Sequence, residues 1–288
     1  GLGDVYKRQM IYLDKGAGAS ILKAESLLWD GGTVSPVAAI KVTFHNRRRP
    51  TAIIHETGHQ VAQMLDWNDQ LARALQDGIG RENPQLASFW SGWASEIAAD
   101  AYGFVHAGYA SIATLSDVVG GSPEQVFLYI PGGPHPISYV RVLLGIAMVR
   151  RCYGRGPWDG LEQAWRLRYP LSLAADSTGP LLAALERQVA QVAEIALMGR
   201  LRAFGGRALA EVVDPNQVSP DALRRLSADA GGSLLSSPHW LSRECLRLLA
   251  LTGYRFVAEP GRGDDAARAQ DDLMRRIGST VGPFVWAA

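Results

Sequence analysis

The chain is poor in cysteine: Cys152 and Cys245 are the only two in 288 residues. Two thiols make neither a disulfide framework nor a cysteine-rich zinc site, and are most simply read as reduced. Long apolar runs are missing as well. None reaches the roughly 18 residues that crossing a bilayer demands, and the best candidate, Val140 to Val149, is short and interrupted by Arg141. An excess of charge of one sign is also absent. The 29 Lys and Arg stand against 28 Asp and Glu, so there is no basic footprint of the kind nucleic acid requires. The composition sets aside a disordered tail, a collagen-like fibre and a coiled coil, and neither an internal repeat nor a low-complexity tract occurs. What remains is a 47% hydrophobic chain, long enough for a substantial core in one large domain or two small ones.

The first nine residues, Gly1 to Gln9 (GLGDVYKRQ), resemble the translation of a sequencing-library adapter and are set aside as an expression scar would be. Without their Lys7, Arg8 and Asp4 the chain is charge-neutral. The natural N-terminus is thereby left open, and a cytoplasmic setting is the default expectation.

Lys15 to Trp29 carries a weakly helical pattern that Asp30-Gly31-Gly32 ends. Ile40, Val42 and Phe44 alternate with Lys41 and Thr43, which predicts a half-buried strand. Pro50 suits the first turn of a helix running to about Leu65, with Trp67-Asn68 as the turn and a second helix over Asp69 to Leu75. Asn83-Pro84 opens a long helical stretch to about Val105, and Ser122-Pro123-Glu124-Gln125 reads as a capping box. Ile130 to Pro134 is a loop, and Ile137 to Arg150 and Leu161 to Arg168 read as helices. Leu185, Val189, Val192 and Ala196 form one helical stripe. Ser219-Pro220 and Ser237-Pro238 each look like a helix start, and Gly261 to Asp265 like a polar loop. A soft boundary falls between Pro170 and Pro180.

Residues 55–59 read HETGH, an instance of HExxH. On a helix His55 and His59 project from one face, and two imidazoles at that spacing can bind one Zn²⁺. Glu56, one residue round, faces the open side of such a metal, where it can polarise a water and shuttle its proton. Gly58 is discordant, costing about 1 kcal/mol relative to Ala in a helix; a small residue there permits close approach of another backbone. A third ligand is needed. In WASEIAADAYGF, Trp93 to Phe104, Glu96 and Asp100 share one face of a nearly uncharged helix. Glu96 can reach the metal, and Asp100 can accept from the ring N–H of a bound histidine. Asp100, His106 and His45 are the competing third ligands. Trp90 and Trp93, one turn before Glu96, read as core.

HETGH followed by ASEIAADAYG resembles the gluzincin metallopeptidases, with their HExxH and later ExxxD pattern. Gly133-Pro134-His135-Pro136, with Arg141 six residues after His135, looks like an element of the CAAX prenyl endopeptidase superfamily and its soluble relatives. The resemblance covers roughly Pro50 to Arg141. It implies His55, His59 and Glu96 as zinc ligands, Glu56 as general base and Asp100 as the residue that orients a ligand. His135 and Arg141 are implied to lie near the oxyanion of the tetrahedral intermediate, or to brace the site. Together with the helical pattern along the chain, it points to a mainly α (α+β) fold: residues 10–175 a zincin-like domain with a small sheet on its N-terminal side, and, from the pattern alone, residues 176–288 a helical C-terminal region. By analogy, the strand near Ile40 would pair with extended substrate backbone.

The expected function is zinc-dependent hydrolysis of a peptide or protein substrate by a soluble enzyme without a transmembrane segment. Two alternatives stand beside it: a non-enzymatic, zinc-stabilised binding protein, and an effector or toxin peptidase acting on one target. A fourth protein ligand would favour the first alternative, an open position catalysis. Tyr102, Tyr109, Tyr129 and Tyr139 could each donate to an oxyanion. Arg47-Arg48-Arg49 reads as a solvated turn.

Overall fold

A computed structural model describes residues 9–14, 20–22, 35, 38–43, 50–234, 236–258 and 263–280. It is mainly helical, with two small sheets. Strands β1 (Gln9–Asp14), β2 (Ser20–Leu22) and β3 (Ala38–Thr43) form the larger one, with β3 between a parallel β1 and an antiparallel β2. Ile11 and Ile21 flank Ile40 in register, and Ile40 is fully buried. This sheet lies on α1 (Thr51–Met64). The alternating strand is thus found at β3. The weakly helical Lys15 to Trp29 is different: its described part is β2, because pairing with Ala39 to Lys41 outweighs a weak local period. Phe44, His45, Arg47 to Arg49 and Val281 to Ala288 lie outside the described residues.

Helix α1 ends at Leu65, and Asp66 in a left-handed conformation (φ 53°) turns the chain into α2 (Trp67–Gly80). Trp67 therefore opens a helix rather than making the turn, since its fully buried ring packs edge-on against Phe204. The stretch after Asn83 is two helices, α3 (Pro84–Gly92) and α4 (Ala94–Ala107), broken at Trp93. Trp90 and Trp93 stack edge to face in the core, on either side of Gly92, where α3 ends. Helix α5 (Tyr109–Val119) is followed by α6 (Pro123–Val126), which carries the Ser122/Gln125 capping box. Then come α7 (Ser138–Tyr153) and α8 (Pro157–Arg168). The Leu185 to Ala196 stripe is split between α9 (Gly179–Glu186) and α10 (Val189–Met198). Further on lie β4 (Arg200–Leu201), β5 (Arg207–Ala208) and α11 (Leu209–Val212), then α12 (Pro220–Ala230) and α13 (Pro238–Arg243) at the two Ser-Pro starts. Helices α14 (Cys245–Ala258) and α15 (Gly263–Thr280) complete the described chain, α15 taking up Gly263 to Asp265 of the expected loop.

Helix α4 is the axis of the molecule. It touches α1, α2, α3, α5, α7, α10 and α14. A helix surrounded in this way must be apolar on every face, and the run of Ile97, Ala98, Ala99, Ala101, Phe104 and Val105 is buried throughout. Its buried charged residues are Glu96 and Asp100. Two apolar clusters flank it: a large one running from Trp67 through α7 to α10, and a smaller one of α12 to α15 that also takes in Ile54 and Ala107. No helix among the described residues is long and apolar enough to cross a membrane.

Candidate metal centre

Helices α1 and α4 pack at close range because Gly58 has no side chain. A Cβ there would stand 3.0 Å from the Ala99 Cα and 3.0 Å from the Tyr102 Cβ. The close approach that Gly58 suggests in the sequence is therefore present, and it brings the histidines of one helix against the carboxylates of the other. The Nε2 of His59 lies 3.3 Å from Glu96 Oε1, and the Nε2 of His55 lies 3.6 Å from Glu96 Oε2. One donor atom each from His55, His59 and Glu96 falls within 4.8 Å of the others, a grouping that could hold a metal ion.

Each side chain of this group is held by a neighbour. His55 Nδ1 meets Asp100 Oδ1 at 2.9 Å, the orienting contact expected of Asp100. His59 Nδ1 meets the Ser95 hydroxyl at 3.3 Å. Ser95 is absent from the motif reading, and its position directly before Glu96 is the signal that could have found it. Arg141 of α7 holds both carboxylates of α4. Its Nε and Nη2 donate to Asp100 at 2.7 and 2.9 Å, and Nη2 also lies 2.8 Å from Glu96 Oε2. With only 8% of its side chain accessible, Arg141 braces the site. His135 approaches Glu96 Oε1 to 3.4 Å with a side chain 65% exposed, so it stands at the rim. His106 is elsewhere, its Nδ1 on the Tyr102 carbonyl, and His45 lies outside the described residues.

These groups line a cavity of about 550 Å³ whose other walls come from β2, α5 and Pro134. Glu56 lines it too, while Tyr102, Tyr109, Tyr129 and Tyr139 are not among its lining residues. Burial raises the Glu56 carboxyl, against the pull of His55 and His59. Burial would also raise Glu96 and Asp100, but the Arg141 guanidinium and the imidazoles outweigh it and hold both carboxyls below the usual range. For His55 burial acts downward, yet Asp100 and Glu96 prevail and raise it to about 9.

The donor set suits a divalent ion. Each imidazole lies within 3.6 Å of one of the two Glu96 oxygens, close enough for the three side chains to share one ion. Among the described lining residues, Glu56, Glu96 and Asp100 stand against one arginine, Arg141, a deficit of two positive charges among these groups when the imidazoles are neutral. Two imidazoles and one carboxylate form a donor set that could hold a divalent transition-metal ion. Comparison of the chain with protein-family models, curated proteins and solved structures finds no match.

Proposed function

We propose that this chain is a zinc-dependent peptidase of gluzincin type, cleaving peptide bonds in a peptide or protein substrate. The observation that carries the reading is the convergence of His55, His59 and Glu96 in a cavity that Glu56 also lines. Among the described residues no fourth histidine, cysteine or carboxylate joins that group, which favours an open site over a closed structural one.

Bound zinc supplies Lewis acidity, bringing a water's pKa to about 7 and polarising the scissile carbonyl. Glu56 takes the proton of the attacking water and returns it to the leaving nitrogen. Its raised pKa brings it nearer the working pH, where a general base is most effective. His135, at the rim, can donate a hydrogen bond where negative charge develops on the carbonyl oxygen. Arg141 positions Glu96 and Asp100, and Asp100 fixes the tautomer of His55.

The test is a peptide-library digest by zinc-loaded protein beside its Glu56→Gln variant, with zinc measured in both. Cleavage by the wild type alone, at equal zinc content, supports the reading. Equal cleavage by both removes Glu56 from the chemistry, and cleavage by neither overturns the peptidase assignment.

A further inference from the structure

The cavity is divided by polarity. Among the described lining residues every ionisable side chain belongs to the metal end: His55, Glu56, His59, Glu96, Asp100, His135 and Arg141. The far wall is one face of α5, where Ile112, Thr114, Leu115, Val118 and Val119 line the space at helical spacing. Its hydroxyls are engaged: Ser111 donates to the Gly108 carbonyl, and Thr114 accepts from Thr51 at 2.9 Å. Polar groups satisfied by the protein make no demand on a ligand, so the wall presents apolar surface.

The wall is also fixed relative to the ligands. Thr51 stands in the first turn of α1, the helix that carries His55 and His59, so the Thr51–Thr114 bond ties α5 to the metal end. The floor is rigid. Ile112 sits where a Cβ on Gly145 would meet its Cγ2 at 2.9 Å, so it is seated against the α7 backbone and cannot retreat. At the mouth Val118 is 40% exposed, leaving this end open to solvent.

We propose that the α5 wall is the site's selectivity pocket, accepting an uncharged apolar side chain beside the scissile bond, with Leu115 setting its polarity and Ile112 its depth. This rests on the peptidase reading for the words "scissile bond", and on the metal for its orientation. A charged side chain there would lose its water without gaining a partner, whereas an apolar one is favoured by burial.

Amino-acid hydroxamates test the pocket without turnover, because the hydroxamate chelates zinc while the side chain samples the wall. Leucine hydroxamate is expected to bind zinc-loaded protein about tenfold or more tighter than lysine or glutamate hydroxamate. Leu115→Glu should erase that order and favour lysine, with acetohydroxamate affinity and zinc content unchanged. Val118→Glu, at the exposed mouth, repeats the test where a change at Leu115 disturbs folding. Ile112→Ala should shift preference from leucine towards phenylalanine. Equal binding of the three hydroxamates, or an order that neither glutamate substitution alters, overturns the pocket. A leucine preference in a protein that cleaves no peptide would keep the pocket and remove the peptidase; cleavage with no such preference would do the reverse.

Discussion

Glu56 and Asp100 are both buried carboxylates near His55, and their surroundings separate their roles. Glu56 has no cation beside it comparable to the one that Asp100 has in Arg141, and burial raises it. Its replacement by Gln is expected to cut peptide hydrolysis by about 10²–10⁴-fold, with zinc content unchanged by atomic absorption. Asp100 is held low and stays charged. Asp100→Asn should weaken zinc affinity by about 10–100-fold, measured by competition with a chromophoric chelator. The pair also sets a pH dependence. In the metal-free protein His55 is raised to about 9, above its value of about 6.5 in an unfolded chain. Its contribution to stability is therefore full below about pH 6.5 and is lost as pH rises through about 9. The metal-free melting temperature should fall over that window, while zinc affinity rises as the competing proton leaves. Asp100→Asn should flatten both trends; an unchanged pH profile would remove Asp100 as the cause. That His55 and His59 share one face of a helix was legible because it is set by local spacing along that helix. Which of the two roles open to Arg141 it takes was not legible, since its hold on Glu96 and Asp100 depends on how α7 crosses α4.

Between elements, the decisive contact is α1 against α4 at Gly58. Gly58→Ala removes a helix penalty of about 1 kcal/mol, yet its Cβ meets the backbone of Ala99, which cannot rotate away. Overpacking of this kind costs about 1–3 kcal/mol. A net loss of stability in urea is expected, with weaker zinc binding because the ligands of α1 and α4 are pushed apart. A more stable protein with unchanged zinc affinity would show that the two helices have slack. Arg141 makes the matching link from α7. Arg141→Met leaves Glu96 and Asp100 buried without their cation, at a cost of about 3–5 kcal/mol in the metal-free protein. The loss should shrink when zinc is added, because the dication offsets the same charges; urea melts with and without zinc read the difference. Helix starts were legible from their chemistry at Pro50, Asn83-Pro84, Ser219-Pro220 and Ser237-Pro238. The break at Trp93 was marked only by Gly92, the last residue of α3, a single glycine inside an otherwise helical pattern. Strand β2 was hidden: three residues carry too little pattern to outweigh their neighbours until β3 pairs with them.

Across the molecule, the helices that carry the ligands are already held by packing on every side. Among the described residues helix α4 lies among α1, α2, α3, α5, α7, α10 and α14, and α1 reaches the smaller apolar cluster through Ile54. No spacing in the chain announced that α14 packs against both of these helices, because long-range pairing leaves no local period. The consequence concerns metal removal. A zinc-dependent fold collapses without its ion when the ion supplies most of its cross-links. Here the large cluster from Trp67 to α10 contains none of the three candidate ligands, and Arg141 already neutralises part of the carboxylate charge. The chelator-treated protein should therefore keep its helical circular dichroism and a cooperative melt. Adding zinc at about a thousand times its dissociation constant should stabilise it by about 4 kcal/mol, a rise in melting temperature on the order of 10 °C. Glu96→Ala should abolish that rise, while a substitution on the exposed face of α8, such as Leu167→Ser, should leave it intact. Unfolding on chelation would instead mean that the ion is the main cross-link of this chain, and that the site is built for structure rather than for an exchangeable water.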